Sequence, residues 1–225
     1  MRLALCLLPA ASLLLPACVR RIPDARADAL ASPCGLWAGV ARVGTRWMYE
    51  PTETYQASLD FDGEYTIEVA AIDGERVTLS QVGAYSGDAG SFTWSRTDTW
   101  RCDAAGAWWI RSEASVGGTS QDQPIRQVGW RTFTPGWLVR PAVLDESWAD
   151  AFTVTQSVNG GEPRESAASC VTSPSEVETR TVGGRAVPVR QVMPVCEGIV
   201  GIPSWLGAGV GLVETEDERL VGYWP

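Results

Sequence analysis

The chain has 225 residues, 27 Asp+Glu against 18 Lys+Arg, a formal net charge of −9 and no histidine. All of its basic residues are arginines, so it lacks the imidazole of general bases and metal sites and the amine of Schiff-base chemistry. An acidic surface repels phosphate backbones, which excludes nucleic acid as a partner class. Hydrophobic residues make up 45% and charged residues 20%, the balance of a globular domain with a core.

Met1 to Cys18 reads MRLALCLLPAASLLLPAC. Arg2 supplies a positive head, Leu3 to Leu15 form an apolar run, and small residues follow, the pattern of a secretory signal. The run falls short of the roughly 20 apolar residues of a spanning helix. Leu15-Pro16-Ala17-Cys18 resembles the lipobox of bacterial lipoproteins. That resemblance implies cleavage after Ala17, acylation of Cys18 and, with Val19 rather than Asp next, an outer-membrane address facing the periplasm or cell surface. The expected organisation is a signal peptide at 1–17, a lipidated cysteine and flexible tether at 18–33, and an antiparallel β domain at 34–225. The tether, VRRIPDARADALASP, spans at most about 50 Å when extended.

From Cys34 onward the pattern is strand after strand. Arg46–Tyr49 is a short aromatic run. Glu64–Ile72 and Arg76–Val82 flank Asp73-Gly74, a tight-turn hairpin signal. In Phe92–Trp100 the residues Phe92, Trp94 and Trp100 share one face, with Thr93, Ser95, Thr97 and Thr99 on the other. Asp103–Gly106 turns the chain into Ala107–Glu113, and Ala114–Pro124 reads as a Gly/Ser-rich loop. Short strands are expected at Trp130–Phe133 and Trp137–Val139, around Pro135-Gly136. Trp148–Val158 and Arg164–Thr172 flank Asn159-Gly160-Gly161, and Ser175–Val182 and Arg185–Val192 flank Gly183-Gly184. Gly209–Glu214 and Leu220–Trp224 close the chain around an acidic turn, Glu216-Asp217-Glu218. About eleven to thirteen strands with little helix predict an all-β fold, a single curved antiparallel sheet shaped as a half-barrel or open barrel.

Beyond Cys6 and Cys18, four cysteines remain, an even number that suggests disulfides in an exported chain. A folded-back hairpin favours Cys170–Cys196, and Cys34–Cys102 follows by elimination. No C-x-x-C spacing points to zinc. No metal and no cofactor are expected.

Thr181-Val182-Gly183-Gly184-Arg185-Ala186-Val187-Pro188-Val189, followed by Ser204-Trp205-Leu206-Gly207-Ala208-Gly209-Val210-Gly211-Leu212-Val213-Glu214, resembles a group of uncharacterised bacterial envelope lipoproteins. These are similar in architecture to the lipoprotein carriers LolA and LolB. The resemblance implies a curved antiparallel sheet with an apolar concave face and assigns no catalytic or binding residue.

Eleven tryptophans admit two readings. They build a Trp-rich core, or they line a hollow for an apolar or amphiphilic ligand. Under the second reading the ligand-binding residues are Trp94, Trp100, Trp108, Trp205 and Leu206. Glu197–Leu206 (EGIVGIPSWL) is either a packed crossover or an apolar cavity mouth. Asp60–Glu64 lacks the spacing of a calcium loop and reads as a solvated turn. Neither a nucleophile elbow nor a phosphate loop is present. Asp145, Glu146 and Glu113 offer carboxylates that nothing in the sequence pairs for glycoside chemistry. The expected function is therefore not enzymatic: ligand binding in a Trp-lined concave face, or alternatively a structural or assembly role in the envelope, or glycan binding. The expected partners are the membrane, through the acyl anchor, and a lipid or apolar ligand.

Overall fold

A computed structural model describes residues 42–52, 61–88, 90–103, 106–120, 123–140, 146–207 and 210–224. Among these residues the structure is twelve β-strands without a helix. In chain order they are β1 (Arg46–Pro51), β2 (Phe61–Asp73), β3 (Arg76–Gly87), β4 (Gly90–Asp103), β5 (Gly106–Ser120) and β6 (Gln123–Val139). Then come β7 (Trp148–Val158), β8 (Arg164–Val182), β9 (Arg185–Glu197), β10 (Ser204–Gly207), β11 (Gly211–Thr215) and β12 (Glu218–Trp224).

Each strand pairs antiparallel with its sequence neighbour, and β12 returns to β1. The half-barrel expectation is therefore corrected: the sheet closes. The seam runs from Arg46↔Trp224 to Pro51↔Glu218. Closure pairs the first strand with the last, so neither is left as a free edge of the sheet. The upper end of the barrel carries the β3–β4, β5–β6, β7–β8, β9–β10 and β11–β12 connections. The β2–β3, β4–β5, β6–β7, β8–β9 and β10–β11 connections, and the start of β1, lie at the lower end.

The hairpin signals at Asp73-Gly74, Asn159-Gly160 and Gly183-Gly184 all mark turns. Asn159 and Gly160 both take positive φ, 52° and 71°, and form a tight turn closed by the Gly161 N–H donating to the Val158 carbonyl at 3.0 Å. Other boundaries differ. Ala114–Pro124 is not a loop but the end of β5 and the start of β6, around residues 121–122. The Gly residues there let β4 approach: a Cβ on Gly118 would lie 2.2 Å from the Ser91 carbonyl. The two short strands around Pro135-Gly136 are one strand, β6. Arg164–Thr172 and Ser175–Val182 are likewise one strand, β8, interrupted by a register shift between Pro174 and Val177. The acidic segment read as a turn at Asp60–Glu64 enters β2 at Phe61.

The alternation in β4 fixes the two faces. Thr93, Ser95 and Thr97 are exposed, and Phe92, Trp94, Arg96, Asp98 and Trp100 share the inner face. Along β4 the outer face is therefore polar. The lower barrel is filled. Trp47, Tyr49, Val69, Val77, Leu79, Val187, Val189 and Tyr223 form its main core, with Trp94 and Trp100 packed against it. Trp47 donates its Nε1–H to the Val210 carbonyl at 2.6 Å, and the Tyr49 hydroxyl donates to the Leu212 carbonyl at 2.7 Å. Side chains of β1 thus reach beyond β12 and tie the seam to the β10–β11 segment. Cys170 and Cys196 are bonded across the β8–β9 register, as the hairpin implied.

Candidate functional site: the upper lumen

Register places the inner-face residues of β2 to β6 in successive rows from rim to centre. The rim row is Tyr85–Phe92–Gly118–Ile125, and the next is Tyr65–Gly83–Trp94–Val116–Gln127. Below them lie Ile67–Gln81–Arg96–Ala114–Gly129 and then Val69–Leu79–Asp98–Ser112–Arg131. Solvent access divides this wall. Val69, Leu79, Asp98 and Ser112 are buried, whereas Phe92, Trp94, Val116 and Ile125 are half-buried and Gln127 and Arg131 exposed. The upper lumen is therefore open to water and the lower lumen is packed.

Aromatic rings define one side of the opening. Tyr49 stacks on Tyr65 at 4.9 Å, Tyr65 contacts Trp94 at 5.2 Å, and Tyr85 contacts Phe92 at 5.2 Å. The Trp94 indole lies over Gly83, where an added Cβ would sit 2.5 Å from its Nε1. Glycine on the neighbouring strand is what lets the ring lie flat along the wall. An open cleft of about 820 Å³ straddles this rim, bordered by Gly63, Tyr85, Phe92 and Gly118 from the inner face and by Asp62, Glu64, Ala84, Ser86, Ser91 and Thr93 from the outer face. A second, of about 350 Å³, touches Trp94, Val116 and Ile125 together with the outward Thr93, Ser95, Ser115 and Arg126.

Two carboxylates face this space. Asp98, only 2% exposed, accepts from Gln81 Nε2 at 2.6 Å, from Arg96 Nε and Nη2 at 2.9 Å each, and from Trp109 Nε1 at 3.2 Å. With four donors on two oxygens it is saturated, which suits a structural anchor rather than a proton shuttle. Glu218 sits at the start of β12. It accepts from the Tyr65 hydroxyl at 2.7 Å and from the Tyr85 hydroxyl at 3.5 Å. Burial raises its carboxyl above the ordinary range, against the pull of those hydrogen bonds. Burial, then the nearby Glu218 charge, raises the Tyr65 hydroxyl in turn. The sequence placed Glu218 in a solvated turn. The structure turns it inward, because it lies two residues before the buried Leu220 on the same face of β12.

The five tryptophan and leucine positions expected to line a hollow do not share one site. Trp94 lines the upper lumen. Trp100 stacks on Trp109 at 5.7 Å, deeper in the barrel. Trp108 lies near the lower end, donating to Asp103 at 3.0 Å beneath the Arg101 guanidinium. Trp205, in β10, donates to Glu178 and lies under Arg180. Leu206 is buried in a satellite core with Trp148 and Leu138. In the Glu197–Leu206 segment Val200 and Ile202 are exposed, while Ile199 packs against the Phe133–Phe152 cluster. Glu113 is exposed and pairs with Arg111; Glu146 is exposed; Asp145 lies outside the described residues. Cys102 is disulfide-bonded, but Cys34 and Cys18 lie outside the described residues, as do the expected signal and tether. Among the described residues no group of three or more His, Cys, Asp or Glu side chains is arranged to hold a metal.

Sequence reasoning missed Arg96, Asp98, Arg131 and Glu218. The signal for two of them was present: Arg96 and Asp98 occupy the same period-two face as Phe92, Trp94 and Trp100. Comparison with protein-family models, curated proteins and solved structures found no match to this chain.

Proposed function

We propose that this protein is a non-enzymatic envelope lipoprotein that binds an amphiphilic ligand in the upper lumen of its barrel. One observation carries the reading. At the open end the inner wall presents half-buried Phe92, Trp94, Val116 and Ile125 beside the Glu218–Tyr65–Tyr85 cluster. A closed barrel that served only as a scaffold gains stability by burying such rings. Here apolar wall and hydrogen-bonding groups converge on solvent, the composition of a ligand site. The anchor rests on Leu15-Pro16-Ala17-Cys18, which supports acylation of Cys18 and an outer-membrane location. Native mass spectrometry of the Cys18→Ser protein, exported to a periplasm and purified without detergent, tests the binding. An additional mass of lipid size supports the reading, and an apo mass that persists after incubation with envelope lipids overturns it.

A second reading has its own observation. Ala149, Val171 and Val195 line up across β7, β8 and β9 on the outer face, with Val195 72% and Val200 84% exposed. Such a stripe suits a protein contact in the envelope. Crosslinking from Val195 in living cells tests it, and capture of no neighbour would count against it.

A further inference from the structure

We infer that the upper lumen selects amphiphiles with an anionic headgroup, bound between Arg96 and Arg131 with the chain extending toward Trp94 and Phe92. This rests on the amphiphile reading above and adds the charge of its ligand.

The two arginines stand differently. Arg96 is held in place: Asp98 grips its Nε and Nη2, and its guanidinium lies 4.8 Å from the centre of the Trp109 ring. Gln81 and Trp109 hold Asp98 in turn. A buried carboxylate that orients an arginine from behind fixes the direction of its remaining N–H groups. Arg131 makes no hydrogen bond or ion pair with any described residue. It sits in the Asp98–Ser112–Arg131 row, on the same inner face. Half-desolvation and the nearby Arg96 charge both act against its guanidinium, with only Asp98 opposing them.

The row from Arg96 continues through Ala114 to Gly129, so β5 and β6 place no large side chain in that row beside Arg96. Directly above lie Trp94 and Val116, and above those Phe92 and Ile125. Charge deep and apolar wall toward the mouth is the profile of a single-chain anionic amphiphile entering headgroup first.

The local charge supports the choice of sign. Asp98 grips Arg96 at 2.9 Å, and neither Asp98 nor Glu218 forms an ion pair with Arg131. That leaves Arg131 a lumen-facing cation without an ion pair among the described residues, which an anion can supply. Arginine also matches the planar, bidentate geometry of carboxylate, sulfate and phosphate.

Tryptophan fluorescence of the Cys18→Ser protein tests this with dodecanoate, dodecyl maltoside and inorganic phosphate as probes, each below its micellar concentration where one exists. The expected result is that dodecanoate binds at least ten-fold more tightly than dodecyl maltoside. Arg131→Gln should abolish that preference by weakening dodecanoate at least ten-fold, and Arg131→Lys should restore part of it. Arg131 makes no hydrogen bond or ion pair among the described residues that either substitution would break, and an unchanged melting temperature verifies that the fold is intact. Equal binding of the two amphiphiles, or a preference that survives Arg131→Gln, overturns the headgroup assignment and leaves the amphiphile reading standing. Binding of neither amphiphile overturns both. Inorganic phosphate binding as tightly as dodecanoate, with no loss in Trp94→Ala, overturns the lipid source in favour of a free anion.

Discussion

Asp98 and Glu218 are both acidic and both face the lumen, yet their surroundings give them opposite roles. Asp98 is matched by four donors, so its charge is compensated where it sits. Replacing it with Ala strands Gln81 and Arg96, while Trp109 keeps its bond to the Arg111 carbonyl at 3.1 Å. Arg96 is 33% exposed and can rehydrate, which holds the expected cost to about 2–3 kcal/mol rather than the full cost of breaking a buried pair. Urea denaturation measures it. Glu218 has hydroxyl donors but no ion pair at contact distance among the described residues. Its folded-state pKa lies above the ordinary 4.5, so the folded protein holds the proton more tightly than the unfolded chain does. The stability this contributes is complete below the unfolded value and declines as pH rises through the folded one. Glu218→Gln removes that titration. Relative to the parent, the variant should gain stability as pH rises through the carboxyl's raised folded-state value and level off above it, as read by thermal melts from acid to neutral pH. A difference that stays flat with pH would show that Glu218 is not desolvated as described.

At the scale of strands, the sequence was legible wherever local chemistry decides. Asp73-Gly74, Asn159-Gly160 and Gly183-Gly184 specify turns through their own φ preferences, and all three are turns. The Cys170–Cys196 bond joins directly paired residues of β8 and β9, and the hairpin between them was readable. By the chain-entropy argument a closed loop of 26 residues contributes about 3–4 kcal/mol. A Cys170→Ser/Cys196→Ser protein should lose close to that amount in a denaturant titration without losing its β-sheet circular dichroism. Strand ends were less legible. Gly117 and Gly118 look like loop residues by composition, but β4 supplies a long, regular partner that carries β5 past them. The inner position of Asp98 was legible from alternation alone, whereas Arg131 was not. Its side follows from a register passed across β5, which no local pattern contains.

Over the whole molecule, the decisive event is the pairing of Arg46–Pro51 with Glu218–Trp224. Periodicity is a local property, so it predicts strands and a curved sheet but cannot announce that the first strand meets the last. Trp47 is the residue on which this closure turns. It is 1% exposed and bonded to the far side of the seam, and Trp47→Ala should cost about 3–5 kcal/mol, with a matching fall in melting midpoint. The anchor belongs to the same scale. If Cys18 carries the acyl chains, Cys18→Ser releases the protein from membranes in a fractionation experiment, and retention would sink the lipoprotein reading.

The most direct test of the account is to locate a bound amphiphile. A neutral amphiphile with a photoreactive group in its chain, irradiated with the Cys18→Ser protein and mapped by peptide mass spectrometry, reports which wall it touches. The account predicts labels on the inner face of β4 to β6, at Phe92, Trp94, Val116 or Ile125. Labels on the outer stripe at Val171 and Val195, with none in the lumen, would contradict it.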